Sequence, residues 1–239
     1  MRLFQYWDAG NPPADVAACI QSVRDVNPDF QHQLFDRDAA AWFIGKRIGE
    51  RQREAFLSLA VPAMQADYFR LCALWARGGI WVDADTIALE PLSTLLVEVD
   101  RGFLSMWNGR LQSSPLISRE PLNAFFGASM ELATRNVERR LEKTAYEVTG
   151  PQILNLIWCA IDPVGAHEVE HLRRHPDAPQ SQEASQVAAL YPGAREAFSR
   201  MSRLHDWQTY RWLQENEATG YKSTTNDWRR WRGSIYRSK

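Results

Sequence analysis

The chain has 239 residues, 45% of them hydrophobic, and a formal net charge of −1. That is enough apolar sequence for a real core in one large domain or two small ones. Near-neutrality excludes a chain-wide positive field that would draw the molecule onto nucleic acid, so any partner must be recognised locally. The opening residues reach a charge at Asp8, too soon for the apolar core of a secretory leader. No later stretch approaches the roughly 18 apolar residues of a membrane span, so a cytoplasmic chain is expected. Cys19, Cys72 and Cys159 are odd in number and far apart, which fits reduced thiols better than a disulfide framework.

Leu3 to Trp7 reads as a buried first strand, and Asn11-Pro12-Pro13 opens a helix with Val16, Cys19, Ile20 and Val23 at helical spacing. Asn27-Pro28-Asp29 makes a turn and Gln31 to Phe35 alternates like a strand. Asp36 is placed to cap a helix through Ala39, Trp42 and Phe43. This alternation of strand and helix is that of an α/β protein. From Val61 to Arg77 an amphipathic helix runs through Met64, Tyr68, Leu71, Cys72 and Trp75, and Gly78-Gly79 ends it. Ile80-Trp81-Val82 then forms a short buried strand that runs directly into Asp83-Ala84-Asp85. Two carboxylates therefore fall at the C-terminal edge of a strand, where open α/β sheets bind ligands. Further on, Phe103 to Trp107 reads as a strand and Pro121 to Ala133 as a helix. Thr149-Gly150-Pro151 breaks the chain before an apolar helix from Gln152 to Ala160. Residues 162 to 186 are polar, with Pro163, Pro176 and Pro179, and read as a long surface excursion or an acceptor loop rather than a domain linker, because too little apolar sequence follows for a second core.

Two aspartates one residue apart suit a hard divalent cation, which neutralises a departing diphosphate through carboxylate and phosphate oxygens. At a strand end the chain turns, so one carboxylate can meet the metal while its neighbour reaches a sugar hydroxyl. Taken alone, such a triplet reads more readily as two solvated turn aspartates.

Its surroundings extend the pattern. Ala66-Asp67-Tyr68-Phe69-Arg70, the glycine pair, Ile80 to Asp85 and then Pro91-Leu92 together resemble the sugar-binding region of family 32 glycosyltransferases, a signature shared with clostridial glucosylating toxins. The N-terminal Phe4-Gln5-Tyr6-Trp7 with Gly10 to Pro13 is similar to that family's first strand and tryptophan turn. Asn108 with Pro115, Thr149-Gly150-Pro151, Tyr191-Pro192 and His205 resemble later landmarks in the right order. The resemblance implies a GT-A fold, a Rossmann-like mixed central sheet flanked by helices. It would form one domain over residues 1–239, with a donor-binding half to about residue 110 and an acceptor-side half beyond. It also implies a retaining transferase that takes a nucleotide diphosphate sugar, with uridine as the family-level choice, and uses manganese or magnesium. Asp85 would be the principal metal ligand and Asp83 would contact ribose and metal. Asp67 and Arg70 would hold donor-sugar hydroxyls and Trp7 would stack on the base, with Tyr6 and Trp81 beside it. Asp67 and Arg70 lie on adjacent turns of one helix and share a face, as a polyol-binding pair requires and as an ordinary surface ion pair also would. The acceptor would be a polysaccharide or glycolipid, or else a protein.

His205 resembles a late histidine that completes the metal or diphosphate site, although Asp206-Trp207 stands where the family has a Ser-Trp pair. His32, His167, His171 and His175 read as bland, and Asp206 is a weak catalytic suspect. No residue stands out as an enzymatic base; in a retaining transferase of this kind the departing phosphate oxygen can take the acceptor's proton. Lys222, Ser223, Thr224 and Thr225 could reach a diphosphate or form a polar surface turn. The tail from Trp228 carries arginines, Lys239 and aromatics with no acid, and reads as a solvated C-terminal helix whose tryptophans pack on the domain, with a peripheral membrane contact, closure over the donor diphosphate or nucleic-acid binding as alternatives. Two rivals remain: a haloacid dehalogenase-type phosphohydrolase with Asp83 as nucleophile, though no second acidic pair follows, and a non-catalytic nucleotide-sugar-binding protein.

Overall fold

The computed structural model describes residues 1–98, 102–166, 179–205, 209–224 and 227–238, the side chains of Glu98, Leu204 and His205 excepted. Its centre is a six-stranded mixed sheet. In chain order the strands are β1 (Arg2–Tyr6), β2 (Gln31–Phe35), β3 (Gly79–Trp81), β5 (Gly102–Trp107), β6 (Arg110–Ser118) and β7 (Ser202–His205), arranged β2-β1-β3-β6-β5-β7. β1 is parallel to both neighbours, β6 is antiparallel to β3 and β5, and β7 is parallel to β5. A separate ribbon pairs β4 (Thr86–Ala88) with β8 (Leu213–Glu215), antiparallel. The helices are α1 (Ala14–Val26), α2 (Arg37–Arg47), α3 (Glu50–Ser58), α4 (Pro62–Arg77), α5 (Leu92–Glu98), α6 (Ala124–Glu138), α7 (Ala145–Val148), α8 (Pro151–Ile161), α9 (Pro179–Leu190) and α10 (Ala194–Ser199). No helix among the described residues is long and apolar enough to cross a membrane.

Successive residues of a strand face opposite sides, and here they feed two cores. Leu3, Ile80, Phe103 and Ile117 pack with Val23 of α1 and Leu92 and Leu95 of α5. Their neighbours Phe4, Trp81, Leu104 and Leu116 pack with α2, α3, α4, α6 and α8. A sheet buried on both faces explains why β3 is apolar throughout. The turn from α4 into β3 depends on its glycines. Gly78 and Gly79 have φ of 60° and 118°, and a Cβ on Gly79 would lie 2.8 Å from the Arg2 carbonyl and the Phe4 ring.

Asp36 caps α2 as expected, accepting from Ala39 N at 2.8 Å. Three expectations need correction. The helix placed from Pro121 begins at Ala124, because Pro121-Leu122 form a turn and Asn123 caps the helix through Phe125 N and Phe126 N. The polar excursion contains α9 in its described part. That helix is anchored by only two fully buried apolar residues, Ala184 and Val187, plus the buried Glu183, so its sequence shows little helical periodicity. The rest of the excursion, with His167, His171 and His175, lies outside the described residues. The third correction concerns the tail. It forms a short 3-10 turn at Trp228–Arg230 and then an extended strap along the α3–α4 junction. Ala60 N donates to Ile235 O, Arg237 N donates to Ser58 O, and Arg140 stacks over the Tyr236 ring at 4.8 Å.

Candidate active site

α4 delivers Asp67 and Arg70 to the end of β3. Arg70 is 4% exposed; its Nη2 lies 2.8 Å from Asp67 Oδ1 and 3.2 Å from Asp83 Oδ1, so one guanidinium bridges two carboxylates. Its Nη1 donates to the Ser113 carbonyl of β6, and its plane lies over the Trp81 ring at 5.1 Å. Trp81 Nε1 in turn donates to Asp83 Oδ1 at 2.8 Å. The Asp83 backbone is held from three sides: its N–H donates to Ser114 Oγ at 3.0 Å, and its carbonyl accepts from Gln5 Nε2 at 3.2 Å and Thr86 N at 3.1 Å. Gln5 Oε1 is itself 2.8 Å from His32 Nε2, which ties the edge strand β2 to this turn.

Asp85 is held by a different part of the chain. The β4–β8 ribbon brings residues 213–222 across, and Asn216 N donates to the Asp85 carbonyl at 2.8 Å. Asp85 Oδ2 accepts from Tyr221 Oη at 2.7 Å and from Lys222 Nζ at 2.9 Å. The same ammonium reaches Glu215 Oε1 at 2.6 Å, Asn216 O at 3.1 Å and Glu217 Oε2 at 3.5 Å. Gly220 N donates to Asp15 Oδ2 at 2.6 Å, anchoring this loop to α1 and holding the Asp15 carboxyl below its usual range. The Tyr221 ring meets Trp7 edge to face at 5.3 Å.

Burial raises the Asp67 carboxyl to about 6 against the pull of Arg70. Burial also raises Asp83, with Arg70 opposing and Asp85 adding, and raises Glu215 despite Lys222. Burial opposes the charge on Lys222, but Asp85 and Glu215 outweigh it and its pKa rises. Carboxylates held above their usual range with few counter-charges, gathered at one sheet edge, are characteristic of functional sites.

The structure thus brings together Asp67, Arg70, Asp83 and Asp85. Trp7 is half-buried beside Tyr221. Two of the residues placed against a ligand are instead internal: Tyr6 is 4% exposed with its hydroxyl on Gln65, and Trp81 is 1% exposed and orients Asp83. Lys222 reaches the site, whereas Ser223 and Thr224 bond back to their own turn; Thr225 and Asp206 lie outside the described residues. The His205 backbone ends β7 opposite Met106, and its side chain lies outside the described part. Sequence reasoning missed Tyr221 and Glu215, which no local pattern marks.

A hard divalent ion suits the donor chemistry of Asp83 and Asp85, and the Lys222 ammonium already occupies a cation position among oxygens there. Among the described residues no three His, Cys, Asp or Glu converge to enclose an ion unaided. An ion would therefore take Asp85, with Asp83 near, and complete its shell from ligand oxygens and water, as magnesium and manganese sites commonly do.

Residues 13–101 match the family profile described as the glycosyltransferase sugar-binding region containing DXD motif, and all four residues of the set lie inside it. The chain is 27% identical over 96 residues to an initiation-specific alpha-1,6-mannosyltransferase of Candida albicans, covering 38% of this chain and 25% of that protein. It is 26% identical over 100 residues to the Saccharomyces cerevisiae protein of the same name, covering 39% and 21%. The matches thus span about a quarter of those relatives' length. Among solved structures, the PaToxG glycosyltransferase superposes with a TM-score of 0.57 at 15% identity, covering 89% of this chain and 87% of that one. The fold is therefore of the GT-A type.

Proposed function

We propose that this chain, which carries the DXD sugar-binding region of glycosyltransferases, is a retaining, metal-dependent glycosyltransferase. It would take its sugar from a nucleotide diphosphate sugar, with uridine diphosphate as the first donor to try. The observation that carries this reading is the convergence of Asp67, Arg70, Asp83 and Asp85 at the end of β3. Arg70 turns two carboxylates into a fixed hydrogen-bonding surface suited to a polyol, and Asp85 stands beyond it for a metal. Charge supports the metal. Through linked ion pairs, five carboxylates (Asp67, Asp83, Asp85, Glu215 and Glu217) share two cations, Arg70 and Lys222. An anionic diphosphate would be repelled by that excess unless a divalent ion came with it. A bound ion would supply charge neutralisation for the leaving diphosphate. The chain's own residues fix orientation: Trp81, Ser114 and Gln5 lock Asp83, Arg70 locks the sugar-facing carboxylates, and Trp7 offers a ring beside Tyr221 for the base.

The acceptor is a glycan, glycolipid or protein, and the exposed basic residues 229, 230 and 232 give a cytoplasmic enzyme a means of peripheral contact with an anionic membrane. The test is thermal stabilisation and slow donor hydrolysis with a panel of uridine and guanosine diphosphate sugars plus Mn2+, comparing the intact chain with Asp85→Asn. One donor should stabilise the protein only with metal and only when Asp85 is present, with hydrolysis falling about 1000-fold in the variant. Equal behaviour of the two proteins would sink the reading.

A further inference from the structure

We propose that Lys222 is a resident cation at Asp85 that a divalent ion displaces, so that lysine and metal are alternative occupants of one carboxylate. The inference rests on the metal reading above and adds a device to it. The Lys222 side chain is 8% exposed although it ends in a charge, and its ammonium lies within 3.1 Å of Asp85 Oδ2, Glu215 Oε1 and Asn216 O. An ammonium has three hydrogens to donate, and these three oxygens match that number; Glu217 at 3.5 Å adds charge. Two acidic side chains lie within 3 Å of one point, an arrangement that needs a positive charge between them in the unliganded state. Lys222 supplies it.

A divalent ion cannot take Asp85 Oδ2 while the ammonium stays 2.9 Å away, because the two cations would stand side by side. One must leave. The lysine can do so by rotating its long side chain, since the backbone of its turn is pinned independently through Gly220 N to Asp15 and Lys222 N to Thr219 O. The exchange replaces one positive charge with two, which suits the site when an anionic diphosphate arrives. It also keeps a displaced lysine beside that diphosphate, on the same turn.

The test measures binding of Mn2+ alone to the full chain by calorimetry, together with its melting temperature. Lys222→Met should bind Mn2+ about tenfold more tightly than the unmodified protein, because the metal no longer competes with a charge-assisted hydrogen bond. Without metal it should melt at a lower temperature, and Mn2+ should recover more of that loss than it adds to the parent. Lys222→Arg keeps the cation and should show no such gain. If Lys222→Met fails to fold, Lys222→Gln gives the same readouts. Mn2+ binding that depends on Asp85, shown with Asp85→Asn, yet is no tighter in the Met or Gln variant overturns the exchange alone. Mn2+ binding indifferent to Asp85→Asn, or absent throughout, overturns the metal reading and the exchange with it.

Discussion

Two clusters of carboxylates in this molecule behave oppositely. On the helical side, Glu131 and Glu183 meet Arg51, Arg135 and Arg139: Arg51 Nη1 is 2.7 Å from Glu131, and Arg135 and Arg139 each reach Glu183 at 2.7 Å. Burial works against both charges there, yet the arginines win and both carboxyls sit below their usual range. At the sheet edge, desolvation also works against Asp67, Asp83 and Glu215, whose side chains are more exposed than the first pair, but these three share Arg70 and Lys222 with their neighbours and sit above it. Desolvation is common to both clusters, so the number of counter-charges decides the direction. The balanced cluster ties α3, α6 and α9 together, whereas the unbalanced one is completed by ligand charge.

The largest test of this contrast is Asp67→Asn. Below about pH 4 the carboxyl is protonated in both folded and unfolded chains. Between its ordinary value of 3.8 and about 6 only the folded chain holds the proton, so stability falls as pH rises and levels off above 6. The Asn variant escapes that cost. Its stability relative to the parent should grow from pH 4 to 7, by up to about 3 kcal/mol, in denaturant titrations at each pH. Donor-linked stabilisation should be lost in the same variant, so that the change helps the fold and harms the site. A pH-independent difference would mean that Asp67 is adequately paired by Arg70 after all.

Glu183→Gln should do the reverse. Removing a paired, buried carboxylate leaves Arg135 and Arg139 against a neutral amide. Their partial exposure lets water take up some of the loss. We expect about 2 kcal/mol of destabilisation, a melting temperature lower by roughly 4–8 °C, and donor-linked stabilisation unchanged. A silent variant would reduce this cluster to surface decoration.

How much of this was legible in the sequence follows from the range of the contacts involved. α4, its glycine stop and the apolar run of β3 are local patterns, so the position of Asp83 at a strand end and the shared face of Asp67 and Arg70 could be read directly. β6 was missed. Its hairpin turn is Asn108-Gly109, with φ of 46° and 72°, a recognisable signal, but the polar Gln112-Ser113-Ser114 and then Pro115 disguise the strand that follows. Ser113 and Ser114 are the residues that brace Arg70 and Asp83, so the polar stretch that hid the strand also positions the site. The other half of the site was illegible for a different reason. Tyr221 lies 136 residues from Asp85 and is delivered by β4 and β8, strands of three residues each, too short to show a period.

Tyr221→Phe is the smallest change and separates the two donors that share Asp85 Oδ2. It deletes one hydroxyl while keeping the ring that packs edge-on against Trp7, so the base-facing wall should survive. Loss of a hydrogen bond to a charged, mostly buried acceptor should lower metal-free stability by about 1 kcal/mol, and lower donor hydrolysis about tenfold as Asp85 loses its fixed orientation. The phenol is neutral and does not repel a metal ion. Removing it should therefore leave Mn2+ affinity within about twofold of the parent, in contrast to removal of the Lys222 ammonium. If Tyr221→Phe tightens Mn2+ as much as Lys222→Met does, steric access limits the metal at Asp85 and the charge of the lysine is incidental. If only the lysine variant gains, charge competition governs the carboxylate, and the unbalanced cluster owes its behaviour to the cation that happens to occupy it.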